Sequence, residues 1–292
     1  MGFRNSIKFI MRHPLNRSAP AAALLRVLRW QICSRLLAGP IALPFVDDTY
    51  LFATHGMTGA TGNWYCGLHE VDDMAFVLQM LRPGDLFLDF GANVGSYTVL
   101  AAGGVGAHVI SVEPIPETFK SLQANMLLNN LSEHVELHCA GLSNKQGELR
   151  FTLDQDAMNH VLAEGEQASS VEVPVLTMDE LLQGRVPKVI KIDVEGHEKA
   201  VLAGAVRTLS DPALAAVVME VNGSGARYGI FDDELISIMR EYGFEPMHYD
   251  GILRHISNSV STGGNVIFIR DRGAVAARVA NAPRYRLVNG VI

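Results

Sequence analysis

Cysteine is scarce and scattered: Cys33, Cys66 and Cys139 stand far apart with no CxxC pair. That excludes a zinc knuckle and a disulfide framework, and a reducing, cytoplasmic setting is expected. Uninterrupted apolar runs of about 18 residues are also missing, so no membrane-spanning helix is expected. The nearest approach, "AAALLRVLRWQICSRLLAG", is broken by Arg26, Arg29 and Arg35. It has no uncharged core of the kind a cleaved secretory signal requires. No G-K-[ST] occurs, which removes a phosphate-binding P-loop, and His69-Glu70 is not followed by a second histidine at position 73, which removes the zinc-protease motif.

Acidic residues are absent from positions 1–46, which hold seven Lys or Arg; from residue 47 on, 17 basic residues face 31 acidic ones. A basic head on an acidic body argues against nucleic-acid binding, because phosphate backbones are repelled from most of the surface. The head has two readings. It is a helix capping the main domain, or residues 1–38 touch an anionic membrane surface through an amphipathic face carrying Leu25, Leu28, Ile32 and Leu36, with Arg35 close to that face.

The remaining sequence has 48% hydrophobic content to work with over the full 292 residues, enough for a substantial core. From residue 84 onward short apolar runs alternate with helical patterns, which predicts an α/β, doubly wound, mostly parallel sheet. "DLFLDF", "HVISVE", "HVELHC", "KVIKIDV", "AAVVMEV", "FEPMHY" and "NVIFIRD" read as strands, the last antiparallel because no helix separates it from its predecessor. "SYTVLAAGG", "ETFKSLQANMLLNN", "HEKAVLAGAVRTL" and "DDELISIMREYG" read as helices, and Thr177 with Glu180 forms a capping-box spacing. The division expected is a basic helical extension over 1–40, a hairpin and helix over 41–80 capping the site, a ligand-binding domain over 81–272 and a tail over 273–292. Between "GELRFTL" and "SVEVPVL" a polar stretch at 154–170 reads as a lid, and a Gly/Ser-rich loop falls at 257–264.

"DFGANVGSYT" at 89–98 occupies the place where such sheets bind ligands, beyond the carboxyl end of the first strand. Gly91 and Gly95 allow positive φ and close backbone approach, and the helix start beyond them offers free N–H groups. Glu113, at the end of the second strand, suits the two hydroxyls of a ribose. The middle glycine of a G-x-G-x-x-G pyrophosphate cradle is missing. Asp89, two residues before the loop, suits a cation and disfavours a phosphate. This chemistry favours S-adenosylmethionine over a dinucleotide, with a purely structural turn as the remaining alternative.

A second constellation is "VIKIDVEGHEKAVLAGA" at 189–205. In extended geometry Lys191, Asp193 and Glu195 share a face, Gly196 permits a sharp turn, and His197 opens the next helix. Two carboxylates and an imidazole at the mouth of a ligand-binding sheet form a candidate proton-handling site. The plainer alternative is that Lys191 neutralises Asp193 and Glu195 caps the helix. The same three side chains could coordinate a divalent ion, but no metal is assigned. In "VVMEVNG", Glu220 and Asn222 are candidate acceptor contacts, and Asn265 is a weaker one.

With both constellations in view, the chain resembles FkbM-family S-adenosylmethionine-dependent methyltransferases over residues 60–270. The resemblance rests on "RPGDLFLDFGANVGSYT", "VISVEPIPETFKSLQANMLLNN", "VIKIDVEGHEKAVLAGA" and "VVMEVN". It implies a seven-stranded class I methyltransferase sheet, Rossmann-like, with a helical N-terminal extension. Asp89, Gly91, Asn93 and Gly95 would surround the methionine part of the cofactor and Glu113 its ribose. Glu70, in "NWYCGLHE", is an implied contact for cofactor or acceptor. The implied reaction is O-methylation of a hydroxyl on a sugar, glycan or natural product, with Asp193 or His197 as base and Glu195 orienting the acceptor or the histidine. The rival functions are a nicotinamide-dependent oxidoreductase and a non-catalytic nucleoside-binding module docked on a membrane.

Overall fold

The computed structural model describes residues 3–57, 59–153, 158–258 and 263–292. Residues 154–157 of the expected lid and 259–262 of the Gly/Ser-rich loop lie outside the described residues. The basic head forms α1 (Phe3–Arg12) and α2 (Pro20–Leu36), the latter opened by a proline whose missing N–H costs nothing in a first turn. An antiparallel hairpin follows, β1 (Ile41–Pro44) with β2 (Tyr50–Ala53), then α3 (Gly59–Cys66) and α4 (Val71–Met80).

The alternating units then begin: β3 (Leu86–Phe90), α5 (Ser96–Val99), β4 (His108–Val112), α6 (Pro116–Leu128) and β5 (Val135–His138). Past α5 the helix widens into a π-helix over Leu100–Val105. A separate three-stranded sheet, β6 (Gly141–Leu142), β7 (Gly147–Thr152) and β8 (Ser170–Leu176), contains the hairpin whose connection was expected as a lid. The chain re-enters the main sheet through α7 (Met178–Leu182), β9 (Val189–Ile192), α8 (Glu198–Ala203), α9 (Val206–Ser210) and β10 (Ala216–Val221). It closes with α10 (Asp232–Glu241), β11 (Glu245–Asp250), β12 (His255–Ser257), β13 (Gly264–Ile269) and α11 (Arg272–Ala280).

The main sheet has the order β12-β11-β13-β10-β9-β3-β4-β5. β13 runs antiparallel to both β10 and β11, as expected of the last strand, while β10, β9, β3, β4 and β5 pair in parallel. The sheet therefore has the seven expected strands and an eighth, three-residue β12, which pairs with β11 at the edge. Chain order reverses between β3 and β9, so the crevice beyond their carboxyl ends is the switch point where ligands bind.

Two apolar layers sandwich the sheet, as parallel strands require. One holds Met74, Phe76, Leu78, Leu100, Leu122 and Val275, the other Leu181, Val201, Leu209, Leu235 and Phe244. Two expectations change. The predicted helix over 197–209 breaks into α8 and α9 at Gly204, where any Cβ would stand 2.2 Å from the Ser143 carbonyl oxygen. The predicted tail instead supplies α11, whose Val275 and Val279 are buried against the core.

Candidate active site

The ends of β3 and β9 open into a cavity of about 300 Å³. Its floor is the loop after β3, where Gly91, Asn93 and Gly95 all take positive φ. The turn carries Gly91 N–H and Ala92 N–H onto the Val112 carbonyl, both at 3.1 Å. It also aims Asn93 N–H at Glu113 Oε2, 2.9 Å away, while Ile115 N–H donates to Oε1 at 3.0 Å. Each carboxylate oxygen of Glu113 keeps a lone pair, and the side chain lines the cavity. Burial pushes its pKa up to about 7 against the pull of those two N–H donors.

Of the residues expected around a cofactor, Gly91, Asn93, Glu113 and Glu70 line the cavity; Asp89 and Gly95 do not. Asp89 lies fully buried beneath the loop, its Oδ2 accepting from Thr98 Oγ1 at 2.6 Å and its Oδ1 without a partner among the described residues. The reason is strand alternation: Asp89 pairs in register with Lys191 on β9, inside the sheet, rather than reaching past the strand end. Gly95 serves packing, since a Cβ there would stand 2.5 Å from Leu122 Cδ1 on α6.

The opposite wall comes from β9 and β10. Asp193, Glu195, His197 and Glu220 all line it. Asn222 does not; it is exposed and donates to Glu220 Oε1 at 2.7 Å, so it holds a wall residue from behind. Asp193, Glu195 and Glu220 each present an oxygen within 4.8 Å of the others. Crowding of this kind moves protons: burial and then Asp193 and Glu195 raise Glu220 to about 9, so it is a neutral acid at pH 7. Its Oε2 is buried with no partner among the described residues. Glu195 is also raised, by burial first and then by Asp193, and it sits at φ +53° in the left-handed region that side chains other than glycine avoid.

Lys191 balances this charge. Its Nζ is 2.8 Å from Asp193 Oδ2 and 4.9 Å from the centre of the Tyr97 ring, with only 3% of the residue exposed. Burial opposes its charge, but Asp193, Asp89 and Glu70 outweigh burial and hold the ammonium above its ordinary range. His197, by contrast, is lowered by burial, and its Nε2 lies 3.1 Å from Ser143 Oγ.

Sequence reasoning saw Lys191 only as a neutralising partner, although a charged residue in an apolar strand was its signal. It missed Tyr97, whose hydroxyl donates to Glu70 Oε2 at 2.7 Å. Asn265 donates to Glu70 Oε1 at 3.4 Å and to Asp73 Oδ2 at 3.1 Å, fastening α4 to the sheet. Asn63, His69, Ser143 and Asn159 reach the site from distant elements and carry no local pattern that could have named them.

The wall chemistry tests which cofactor fits. Glu70, Glu113, Asp193, Glu195 and Glu220 face one lysine, and that lysine is already paired with Asp193. Among the described residues lining the cavity, then, no unpaired lysine or arginine is available for a pyrophosphate. A nucleoside carrying positive charge and no phosphate fits, with ribose on Glu113 and apolar Ile115, Leu142 and Phe151 beside it. The arrangement is that of a nucleoside-binding α/β fold whose site fits a cationic ligand.

The family comparison agrees with that class. The Methyltransferase FkbM domain family model matches residues 89–246, and the chain belongs to that family. S-adenosylmethionine is the cofactor that membership of this methyltransferase family indicates. Hexuronic acid methyltransferase AglP of Haloferax volcanii is 31% identical over a match covering 52% of this chain and 62% of that protein, so the chain spans about three fifths of that relative's length. The 31-O-demethyl-FK506 methyltransferase FkbM of Streptomyces tacrolimicus is 28% identical over 56% of this chain and 74% of that protein. Among solved structures, precorrin-6y C5,15-methyltransferase of Geobacter metallireducens superposes with a TM-score of 0.44 at 11% identity, covering 78% of this chain and 98% of that one. No helix among the described residues is long and apolar enough to cross a membrane.

Proposed function

We propose that the protein O-methylates a hydroxyl of a sugar or sugar-like natural product, with Glu195 taking the hydroxyl proton. The observation that carries this reading is the trio Asp193, Glu195 and Glu220 around one point of the cavity wall. Carboxylates accept strong hydrogen bonds from neighbouring hydroxyls, and a polyol offers several at once. The names of the two relatives, a hexuronic acid methyltransferase and a 31-O-demethyl-FK506 methyltransferase, support an oxygen acceptor.

When bound, S-adenosylmethionine supplies a methyl group on a sulfonium that leaves as a neutral thioether. The chain's own part is alignment, which is worth about 7 to 11 kcal/mol for a well-oriented pair of reactants. Glu113 would hold the ribose end, and Glu70, fixed by Tyr97 and Asn265, would face the cationic end. Asp193 has Oδ2 committed to Lys191, and His197 has Nε2 committed to Ser143. Glu195, raised above the ordinary carboxylate range, is the better base and accepts the acceptor's proton. Glu220, protonated, donates a hydrogen bond to a neighbouring acceptor oxygen.

Two measurements test the reading. Calorimetric titration with S-adenosylhomocysteine should give micromolar binding, with no heat from NADH as control. Incubation with S-adenosylmethionine and a panel of glycosides should yield an alkali-stable methyl ether. A methyl ester or methylamine product would overturn the O-methyl assignment while leaving the cofactor assignment standing.

A further inference from the structure

The head turns the wrong side inward. On α2 the buried residues are Ala23, Arg26, Val27 and Trp30, while Leu25, Leu28, Ile32 and Leu36 are 46%, 56%, 49% and 78% exposed. At 100° per residue these three leucines and one isoleucine lie within one face, opposite the buried one, with Arg35 at one border and Arg29 at the other. The inward charge is not an accident of packing. Arg26 Nη2 donates to Asn16 Oδ1 at 2.7 Å and to the Tyr65 carbonyl at 2.9 Å, and Asn289 Nδ2 donates to the same Asn16 oxygen at 2.9 Å. The orientation of the helix is therefore locked, with its aliphatic ridge outward.

We infer that this ridge docks on an anionic lipid surface. Charge complementarity selects the occupant: positions 1–46 hold no acidic residue, and of their seven basic ones Lys8, Arg12, Arg17, Arg29 and Arg35 are exposed. On α1, exposed Lys8 and Arg12 line a groove of about 390 Å³ together with Phe9. Leucine and isoleucine enter the acyl boundary while Arg29 and Arg35 extend their guanidinium groups back to headgroup phosphates. A second copy pairing through the same ridge is disfavoured, because it would bring together two heads that carry only basic charge. Beyond methyl transfer, the head thus gives the enzyme a place to work.

The test uses the full-length protein and sedimentation with vesicles of phosphatidylcholine alone or phosphatidylcholine mixed with phosphatidylglycerol. Binding to the anionic vesicles, weakened by salt, is expected, with little binding to the neutral ones. Because the ridge is exposed, the Leu28→Ser/Ile32→Ser double variant should keep its Tm and its affinity for S-adenosylhomocysteine, yet bind anionic vesicles about tenfold less or weaker still. Absence of binding to anionic vesicles overturns the inference, as does a double variant that binds like the wild type. A wild-type dimer that becomes monomeric in the double variant, without vesicle binding, would give the ridge to a second copy instead.

Discussion

Gly91 and Asp193 meet with no room for a side chain: a Cβ on Gly91 would stand 1.9 Å from the Asp193 carbonyl oxygen. The contact joins the loop after β3 to the end of β9 and brings the cofactor floor and the carboxylate wall into one cavity. Gly91→Ala must push the strands apart as well as force alanine to φ +71°. It is expected to cost about 3 kcal/mol or more in denaturant unfolding and to abolish S-adenosylhomocysteine binding. Wild-type affinity in a stable Gly91→Ala protein would show that the contact does not shape the site.

Lys191 carries a different kind of dependence. Replacing it with methionine leaves Asp89, Asp193 and Glu70 crowded without their cation, and the expected loss is about 3 to 5 kcal/mol. Adding Asp193→Asn removes one of the stranded charges and should recover part of that loss. Strict additivity in the double-mutant cycle would deny the pairing.

The repeating strands and helices were readable because parallel strands buried on both faces are apolar runs, as β9 shows with four buried residues in succession. The two site segments were readable for the opposite reason. Gly91 and Gly95 interrupt the pattern, and Lys191 and Asp193 place charge in an apolar strand. What could not be read is long-range. Tyr97 meets Glu70 across 27 positions and Ser143 meets His197 across 54. Asp89 shows the limit within a single strand, since its position beside the loop suggested a ligand contact while the pleat turned it inward. The aliphatic face of α2 could be read from its spacing, but which way it turns could not, because the buried bonds of Arg26 to Asn16 and Tyr65 that set it join distant parts of the chain.

Glu220 should set an alkaline limit on stability. Its folded pKa of about 9 lies above the ordinary glutamate value, so the folded state holds a proton the unfolded chain has released. Its stabilising contribution is whole below the unfolded pKa and is lost as pH rises through about 9. Glu113, Glu198 and Asp73, each raised to about 7, act in the same direction at lower pH. Denaturant midpoints should fall from pH 6 to pH 9.5, and Glu220→Gln should flatten the upper part of that fall. An unchanged slope in the variant would place the titration elsewhere.

Cofactor binding should itself move a proton. On the proposed reading, ribose hydroxyls would donate to the ionised form of Glu113, whereas burial in the free protein raises its pKa to about 7. Binding therefore releases a proton near neutrality, and affinity for S-adenosylhomocysteine rises with pH through that range. Calorimetry in buffers of different ionisation enthalpy reads the release directly. Glu113→Gln should weaken binding by about tenfold or more and remove the buffer dependence. Retained buffer dependence would assign the proton to another group.

Glu195 separates chemistry from structure, because its backbone and its carboxylate make opposite predictions. At φ +53° the residue is strained, and glycine there relieves a cost of about 1 to 2 kcal/mol, offset in part by glycine's looser unfolded chain. Glu195→Gly should therefore be at least as stable as the wild type, whereas Glu195→Gln should be close to it. Both should lose about 10²- to 10⁴-fold in kcat, the share of a general base, with S-adenosylhomocysteine affinity nearly unchanged. The wild-type rate should rise with pH along an acid limb that lies above the ordinary glutamate range, since burial and Asp193 hold Glu195 protonated longer. That limb should vanish in Glu195→Gln. If it persists while kcat falls, Glu195 positions the acceptor and another group takes the proton; if kcat is untouched, the carboxylate has no part in methyl transfer.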